Sequence, residues 1–291
     1  MKAPIFRGVA TALVTPFSDG DIDFPALDRL LALQIDAGIP ALVITGTTGE
    51  ASTLTKEEKA QLWMHCVDFA DGSCKIIAGI GTNCTKASIE LAQSAEVCGV
   101  DALLAVTPYY NRCTQRGLIS HYTAIADSTS LPLITYNVPA RTGIDMSVES
   151  CKLLSKHPRI NGIKEAGGNL SKIAHILADS GMYLWSGNDH QIVAAMSMGA
   201  IGVISVLSNL CPDAVRRITE ECEQSNYAEA SKLQLSYLPL IDQLFSEVNP
   251  IPIKAALSAK GLCKNELRMP LTPLSVSAQI SLYEAMEQCL A

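Results

Sequence analysis

The stretch PLITYNVPARTGIDMSVESCKLLSKHPRINGIKEA, residues 132–166, decides the fold. It opens on an apolar run, Pro132–Pro139, and closes on another, Ile160–Ala166, with a helix-length polar segment between them. Both runs are nearly continuous in hydrophobicity, as expected of strands covered on both faces of a parallel sheet. Two such strands joined through a helix make a βα repeat, and the pattern extends in both directions. Short Val- and Ile-rich runs recur about every 25–35 residues, the spacing of successive βα units. Eight are visible: Gly8–Phe17, Ala41–Thr47, Lys75–Gly81, Ala102–Tyr110, Pro132–Pro139, Ile160–Ala166, Tyr183–Gly187 and Ala200–Val206. Eight parallel strands with right-handed crossovers close into a barrel of about 250 residues. The expected fold is therefore α/β, a (β/α)8 TIM barrel with a C-terminal helical extension.

The segments between the runs carry helix signals. Asp23 followed by Pro25 opens one, with Leu27, Leu30, Leu31 and Ile35 on a common face and Gly38 at its end. Thr55 with Glu58 forms a capping box. Asp189 is placed to cap the next-to-last barrel helix, which Gly199 ends. The barrel core is expected over residues 1–210, and a helical part over 211–291 that holds the last barrel helix and three more. An open doubly wound sheet is the main alternative, but Phe17-Ser18-Asp19-Gly20 after the first run is no phosphate turn. Gly79-Ile80-Gly81 begins like a dinucleotide fingerprint, yet its third glycine position is Cys84.

Composition removes several function classes. The 291 residues carry a net charge of −7 without any Lys/Arg cluster, so no nucleic-acid partner is expected. Residues 191–212 lack charge, but Gly199, Gly202, Ser197, Ser205, Ser208 and Asn209 interrupt them, so no membrane span is expected. Nothing at Met1–Arg7 resembles a targeting segment, which points to a cytoplasmic protein. The ten cysteines are scattered with no C-x-x-C pair, and they read as reduced, non-ligating thiols. No metal site is expected, Cys66 beside His65 included, because neighbours along a helix point in different directions.

Polar and reactive residues gather at the C-terminal ends of the strand runs, which in a barrel share one mouth. Lys164 is the informative one. An ammonium flanked by Ile160 and Ile163 on an inner strand is costly unless paired or neutral. At its reference pKa only about one lysine in a thousand is neutral at pH 7, and desolvation raises that fraction towards a nucleophilic amine. A salt bridge to Glu165 is the competing explanation. Tyr136, at the end of the adjacent run, can move protons to and from a carbinolamine or imine; its ordinary role is a core aromatic. Thr47 and Thr48 lie in a glycine-flanked turn able to hold a carboxylate, although such a turn is often only a connection. Arg141 offers a fork for a second carboxylate, where a surface ion pair is its default role.

Gly46-Thr47-Thr48-Gly49-Glu50, Thr107-Pro108-Tyr109-Tyr110-Asn111, Tyr136 to Gly143 and Gly162-Ile163-Lys164-Glu165-Ala166 together resemble the pyruvate-dependent Schiff-base aldolases. Within that group, which includes N-acetylneuraminate lyase, the set looks like the dihydrodipicolinate synthases. The likeness extends through Glu247–Pro252 and Leu271–Leu274. It implies a lyase that condenses pyruvate with L-aspartate-4-semialdehyde on the way to diaminopimelate and lysine, without metal or organic cofactor. Lys164 would form the imine, and Thr47, Tyr136 and Tyr110 the proton relay, with Tyr110 donated by a neighbouring subunit. Thr48, Ile204 and Gly187 would line the pyruvate site, and Arg141 would hold the semialdehyde carboxylate. Arg141 and the pair Tyr109-Tyr110 separate this pattern from relatives that cleave sugar acids. The resemblance also implies a homotetramer built from two tight dimers. Two positions depart from it. Cys113 stands where many relatives have proline, implying a more mobile loop, and Lys59 and Ala87 replace the histidine and glutamate typical of lysine-inhibited relatives. The latter pair implies weak or no inhibition by L-lysine. A barrel that only senses pyruvate-like ligands is the non-enzymatic alternative, and it would need none of the proton chemistry of Lys164, Tyr136 and Thr47.

Overall fold

The computed structural model describes residues 2–290. Eight strands form the barrel: β1 (Gly8–Ala12), β2 (Ala41–Ile44), β3 (Lys75–Gly79), β4 (Ala102–Val106), β5 (Leu133–Asn137), β6 (Ile160–Glu165), β7 (Tyr183–Ser186) and β8 (Gly202–Ser205). Each is parallel to its neighbours, and β8 closes the ring by pairing with β1, Ala10 opposite Ile204. All eight apolar runs are strands, so the TIM barrel stands. The runs overreach at their C-terminal ends: Gly8–Phe17 stops as a strand at Ala12, and Ala102–Tyr110 stops at Val106. Beyond those points the backbone leaves the sheet to build the mouth, although its side chains remain apolar.

Residue alternation sorts the strands into two layers. Ala10, Ala12, Ala41, Val43, Ile77, Leu104, Ile134, Tyr136, Trp185 and Ile204 fill the interior. Val9, Leu42, Ile76, Leu103, Leu133, Ile163, Leu184 and Val203 face the helices instead. Phe6 stacks on Trp185 at 4.9 Å between ring centroids, adding aromatic bulk to the interior cluster. The barrel centre is thus packed side chain, and chemistry is confined to an end. Close strand packing also explains the abandoned fingerprint. A Cβ on Gly79 would lie 2.3 Å from the Thr45 carbonyl oxygen, and one on Gly81 2.3 Å from the Val106 nitrogen. Those glycines admit neighbouring backbone, not a pyrophosphate.

The outer helices begin where their caps stand. Asp23 accepts a hydrogen bond from the Ala26 N–H ahead of helix Phe24–Asp36, and Thr55 and Glu58 form the reciprocal box ahead of helix Lys56–Ala70. After the last barrel helix, Pro212–Glu223, the described residues form four helices rather than three: Tyr227–Ser236, Leu238–Leu244, Ile251–Ala259 and Val276–Leu290. The extra break falls at Tyr237 because Pro239 follows it. Proline has no N–H to continue the preceding helix, and its ring crowds the turn before it. Among the described residues no helix is long and apolar enough to cross a membrane.

Candidate active site

Strand register places the two reactive side chains side by side. Tyr136 on β5 pairs with Lys164 on β6, and residues level across a parallel pair point the same way. Lys164 is 6% exposed, and its Nζ lies 4.5 Å from the centre of the Tyr136 ring. The competing salt bridge fails on alternation. Glu165, the next residue, takes the outer side of the strand. There its carboxylate accepts hydrogen bonds from Asn137 Nδ2 and the Gly167 N–H and lies 3.4 Å from Lys172. Lys164 has no hydrogen bond or ion pair among the described residues. Burial drives its pKa down from 10.5 to about 8, opposed by the charge of Asp189 and assisted by Arg141. About a tenth of the amine is therefore neutral at pH 7, where an exposed lysine has almost none.

Asp189 corrects a sequence expectation. It does not cap the helix Ile192–Ser197, whose N-cap residue is Gln191. Its Oδ2 instead accepts the N–H groups of Val206 and Leu207, both at 3.0 Å, and its Oδ1 is buried without a partner. Burial raises its pKa, while Ser205 and those two N–H groups favour the anion. Sequence could not separate this role from capping, because an aspartate after a strand and before a helix satisfies both descriptions.

A cavity of about 450 Å³ opens at the mouth. Thr47, Tyr136 and Arg141 line it, together with Tyr109 and Asn249. The Tyr136 phenol is raised in pKa by burial, against the opposing pull of Arg141 and Thr47, so it holds its proton at neutral pH. The Thr47–Glu50 turn is closed by the Gly49 N–H on the Gly46 carbonyl and the Glu50 N–H on the Thr47 carbonyl. The Thr47 and Thr48 N–H groups meet no acceptor among the described residues, which leaves them for an anion. The Thr48 side chain is buried, its hydroxyl accepting from Asn249 Nδ2 at 2.9 Å. Ile204 is wholly buried beside Tyr136 in the interior cluster. At Gly187 a Cβ would stand 3.1 Å from Lys164 Cε and 2.6 Å from Ala166 Cβ, so the bare glycine leaves the lysine its path. Arg141 donates to the Asn249 carbonyl at 2.9 Å, which fixes its guanidinium at the rim. Tyr110 is not with the others. It is 89% exposed, with φ at 73°, and the chain's own Tyr109 lines the cavity in its stead.

The support beneath these groups went unread in the sequence. Glu50 and Lys254 form a fully buried ion pair. Glu50 also accepts the Arg268 N–H, and Lys254 donates to the Glu266 carbonyl. Both Lys254 and Arg268 lie over the Phe17 ring. Arg268 reaches further, to Glu58 and the Gly20 and Thr53 carbonyls. The C-terminal part thus clamps the Thr47–Thr48 turn from behind. Glu247–Pro252 was a legible motif, but a pair 204 residues apart leaves no local signal.

The sequence profile of the Dihydrodipicolinate synthetase family matches residues 5–289. The chain belongs to this family. It is 46% identical over 287 residues to the 4-hydroxy-tetrahydrodipicolinate synthase of Exiguobacterium sp. strain ATCC BAA-1283 / AT1b, covering 98% of each. The corresponding protein of Alkaliphilus oremlandii strain OhILAs is 44% identical, over 98% of this chain and 99% of that one. Among solved structures, the 4-hydroxy-tetrahydrodipicolinate synthase of the methanotroph Methylacidiphilum fumariolicum SolV superposes with a TM-score of 0.97 at 40% identity, covering 98% of this chain and 96% of its own. Family membership covers the barrel and the C-terminal helices alike, so the clamp built by Lys254 and Arg268 lies within the shared fold.

Proposed function

We propose that this chain condenses pyruvate with L-aspartate-4-semialdehyde, through an imine on Lys164, to give 4-hydroxy-tetrahydrodipicolinate. The observation that carries the reading is a buried, unpaired lysine with its pKa lowered to about 8, 4.5 Å from the ring of a protonated tyrosine. The neutral amine attacks the pyruvate carbonyl, and Tyr136 protonates the departing hydroxyl as water leaves. The iminium is the electron sink: loss of a methyl proton gives an enamine, whose carbon attacks the semialdehyde carbonyl. The substrate's own amine then adds to the imine carbon and displaces Lys164, closing a six-membered ring. One water is released overall.

The free N–H groups of Thr47 and Thr48 suit the pyruvate carboxylate, with Ile204 and Gly187 bounding its space. Thr47 relays protons with Tyr136. Arg141, held by Asn249, suits the semialdehyde carboxylate as a bidentate partner. Tyr110 is the third relay member, delivered to a neighbouring subunit's site from its exposed position, in a homotetramer of two tight dimers. The work divides along the chain: residues 1–210 supply the reacting groups and 211–291 the clamp. No metal or organic cofactor takes part in this reading, and the site of action is the cytoplasm.

The test is to supply both substrates and weigh the product. A species equal to their sum less one water is expected. Arg141→Met is expected to raise the KM for the semialdehyde at least tenfold while changing the KM for pyruvate little. Pyruvate capture without consumption of the semialdehyde would mean a different acceptor aldehyde.

A further inference from the structure

Imine formation on Lys164 would create a charge that the attacking amine does not carry. The neutral amine adds to the pyruvate carbonyl. The nitrogen keeps one of its two hydrogens, and the oxygen leaves as water with the other and with one proton drawn from solvent through Tyr136. What remains is an iminium, a cation shut inside the barrel mouth. A desolvated charge of that kind needs an opposite one. Glu165 is not available, since it lies on the outer side of β6 with Lys172. Glu50 is committed to Lys254 and the Arg268 N–H. Arg141 is itself a cation.

Asp189 is the acid left at this end of the barrel. It is 1% exposed and comes two residues after Gly187, whose missing side chain gives Lys164 Cε its passage. Its Oδ2 is tied at 3.0 Å to the N–H groups of Val206 and Leu207, just beyond β8, so the carboxylate is locked between the ends of β7 and β8. Its Oδ1 is buried and has no hydrogen-bond partner among the described residues. Around Lys164 the titratable or charged neighbours are Tyr136, Arg141 and Asp189, and Asp189 is the one that favours a cation there. Cys211, which also feels Asp189, has its thiol pushed up to about 12 by burial and stays neutral. The arrangement suits both stages of the reaction. No direct bond pins the resting ammonium, and a fixed anion stands ready for the charge that develops. We propose that Asp189 is the counter-ion of the iminium at Lys164, an electrostatic role that rests on the imine reading and adds a residue to it.

Asp189→Asn removes the charge and keeps an oxygen for the two N–H groups. Ammonium and iminium then lose the same support, so the effect depends on the protonation state from which the reaction starts. At pH 6 the lysine and the imine are both cationic, and the pyruvate concentration for half-maximal trapping by borohydride should change little. At pH 9 the amine starts neutral, and that concentration should rise about tenfold, the equivalent of one pKa unit. The acid limb of kcat/KM for pyruvate should move down by about one pH unit, because the lysine loses its proton more easily. A variant weakened equally at both pH values, or unchanged at both, would overturn the counter-ion role, as would an acid limb that stays in place. Wild-type protein that takes up no adduct refutes the imine itself, whereas a trapped wild type beside an unaffected variant refutes Asp189 alone. Should Asp189→Asn not fold, a crystal structure of the wild-type protein reduced in the presence of pyruvate decides. Asp189 Oδ1 within about 6 Å of the adduct nitrogen supports the role, and a greater distance contradicts it.

Discussion

At the scale of single residues, the lysine proposed to form the imine also weakens the fold. Lys164 titrates near 8 in the folded chain against 10.5 for the ordinary side chain. Between those values the unfolded chain holds more protons than the folded one, so stability rises with pH across that window. Below 8 both states are protonated and the folded protein carries the full cost of a buried ammonium. Lys164→Met keeps the volume and removes the charge. It is expected to abolish turnover yet stabilise the protein by on the order of 2 kcal/mol at pH 7, a gap that closes as pH approaches 10.5. Denaturant titrations of both proteins at pH 7 and pH 10 measure it; a less stable variant at pH 7 would contradict the account. In the wild type, kcat/KM for pyruvate should fall about tenfold per pH unit below 8, as the neutral amine is depleted.

Between elements, the decisive contact joins the turn after β2 to helix Ile251–Ala259. Glu50 sits in the left-handed region at φ 55° and is fixed there by Lys254 and the Arg268 N–H. Removing one partner of a buried pair leaves the other uncompensated, at a cost of about 3–5 kcal/mol. Lys254→Met should lose that much in denaturant unfolding and misplace the Thr47–Thr48 turn, so its KM for pyruvate should rise too. Adding Glu50→Gln should restore part of the stability. A single variant as stable as wild type would show that the clamp is dispensable. This scale is also where sequence reading was weakest. The eight strands were legible because burial on both faces makes each run apolar throughout. Lys164, Tyr136, Thr47 and Arg141 were legible because strand ends in a barrel share one mouth. The clamp was not, since it depends on a tertiary approach of segments distant along the chain. Strand ends were overrun because apolar residues such as Leu13 and Val14 continue past Ala12, the last residue of β1, packing in the outer core beneath the mouth. Pro239 was visible, but a proline near a helix start looks the same whether the helix is new or broken.

For the whole molecule, the exposed position of Tyr110 fits the proposal that a second chain completes the relay. Its backbone is held at a positive φ that few tyrosines adopt, and its side chain stands in solvent. If the residue serves a neighbour's site, Lys164→Ala and Tyr110→Ala subunits are each nearly inactive alone, but complement when mixed. In an equal mixture of exchanging pairs, half are mixed and each mixed pair has one complete site, so about a quarter of wild-type activity is expected for a two-fold dimer. Mixtures shown by native mass spectrometry to have exchanged subunits, and still inactive, would put Tyr110 outside the relay. The fold itself says why such sharing is possible. A barrel gathers its reactive groups at one open end, and the Tyr110 side chain projects into solvent from the segment after β4.

The proposed reaction rests on an imine at Lys164. The direct measurement is intact-mass spectrometry after incubation with pyruvate and sodium borohydride, with Lys164→Ala treated alongside. One reduced pyruvate adduct per chain, mapped by peptide analysis to Lys164 and absent from the variant, is the predicted result. A folded wild-type protein that takes up no adduct, or one whose adduct persists in Lys164→Ala, would contradict it.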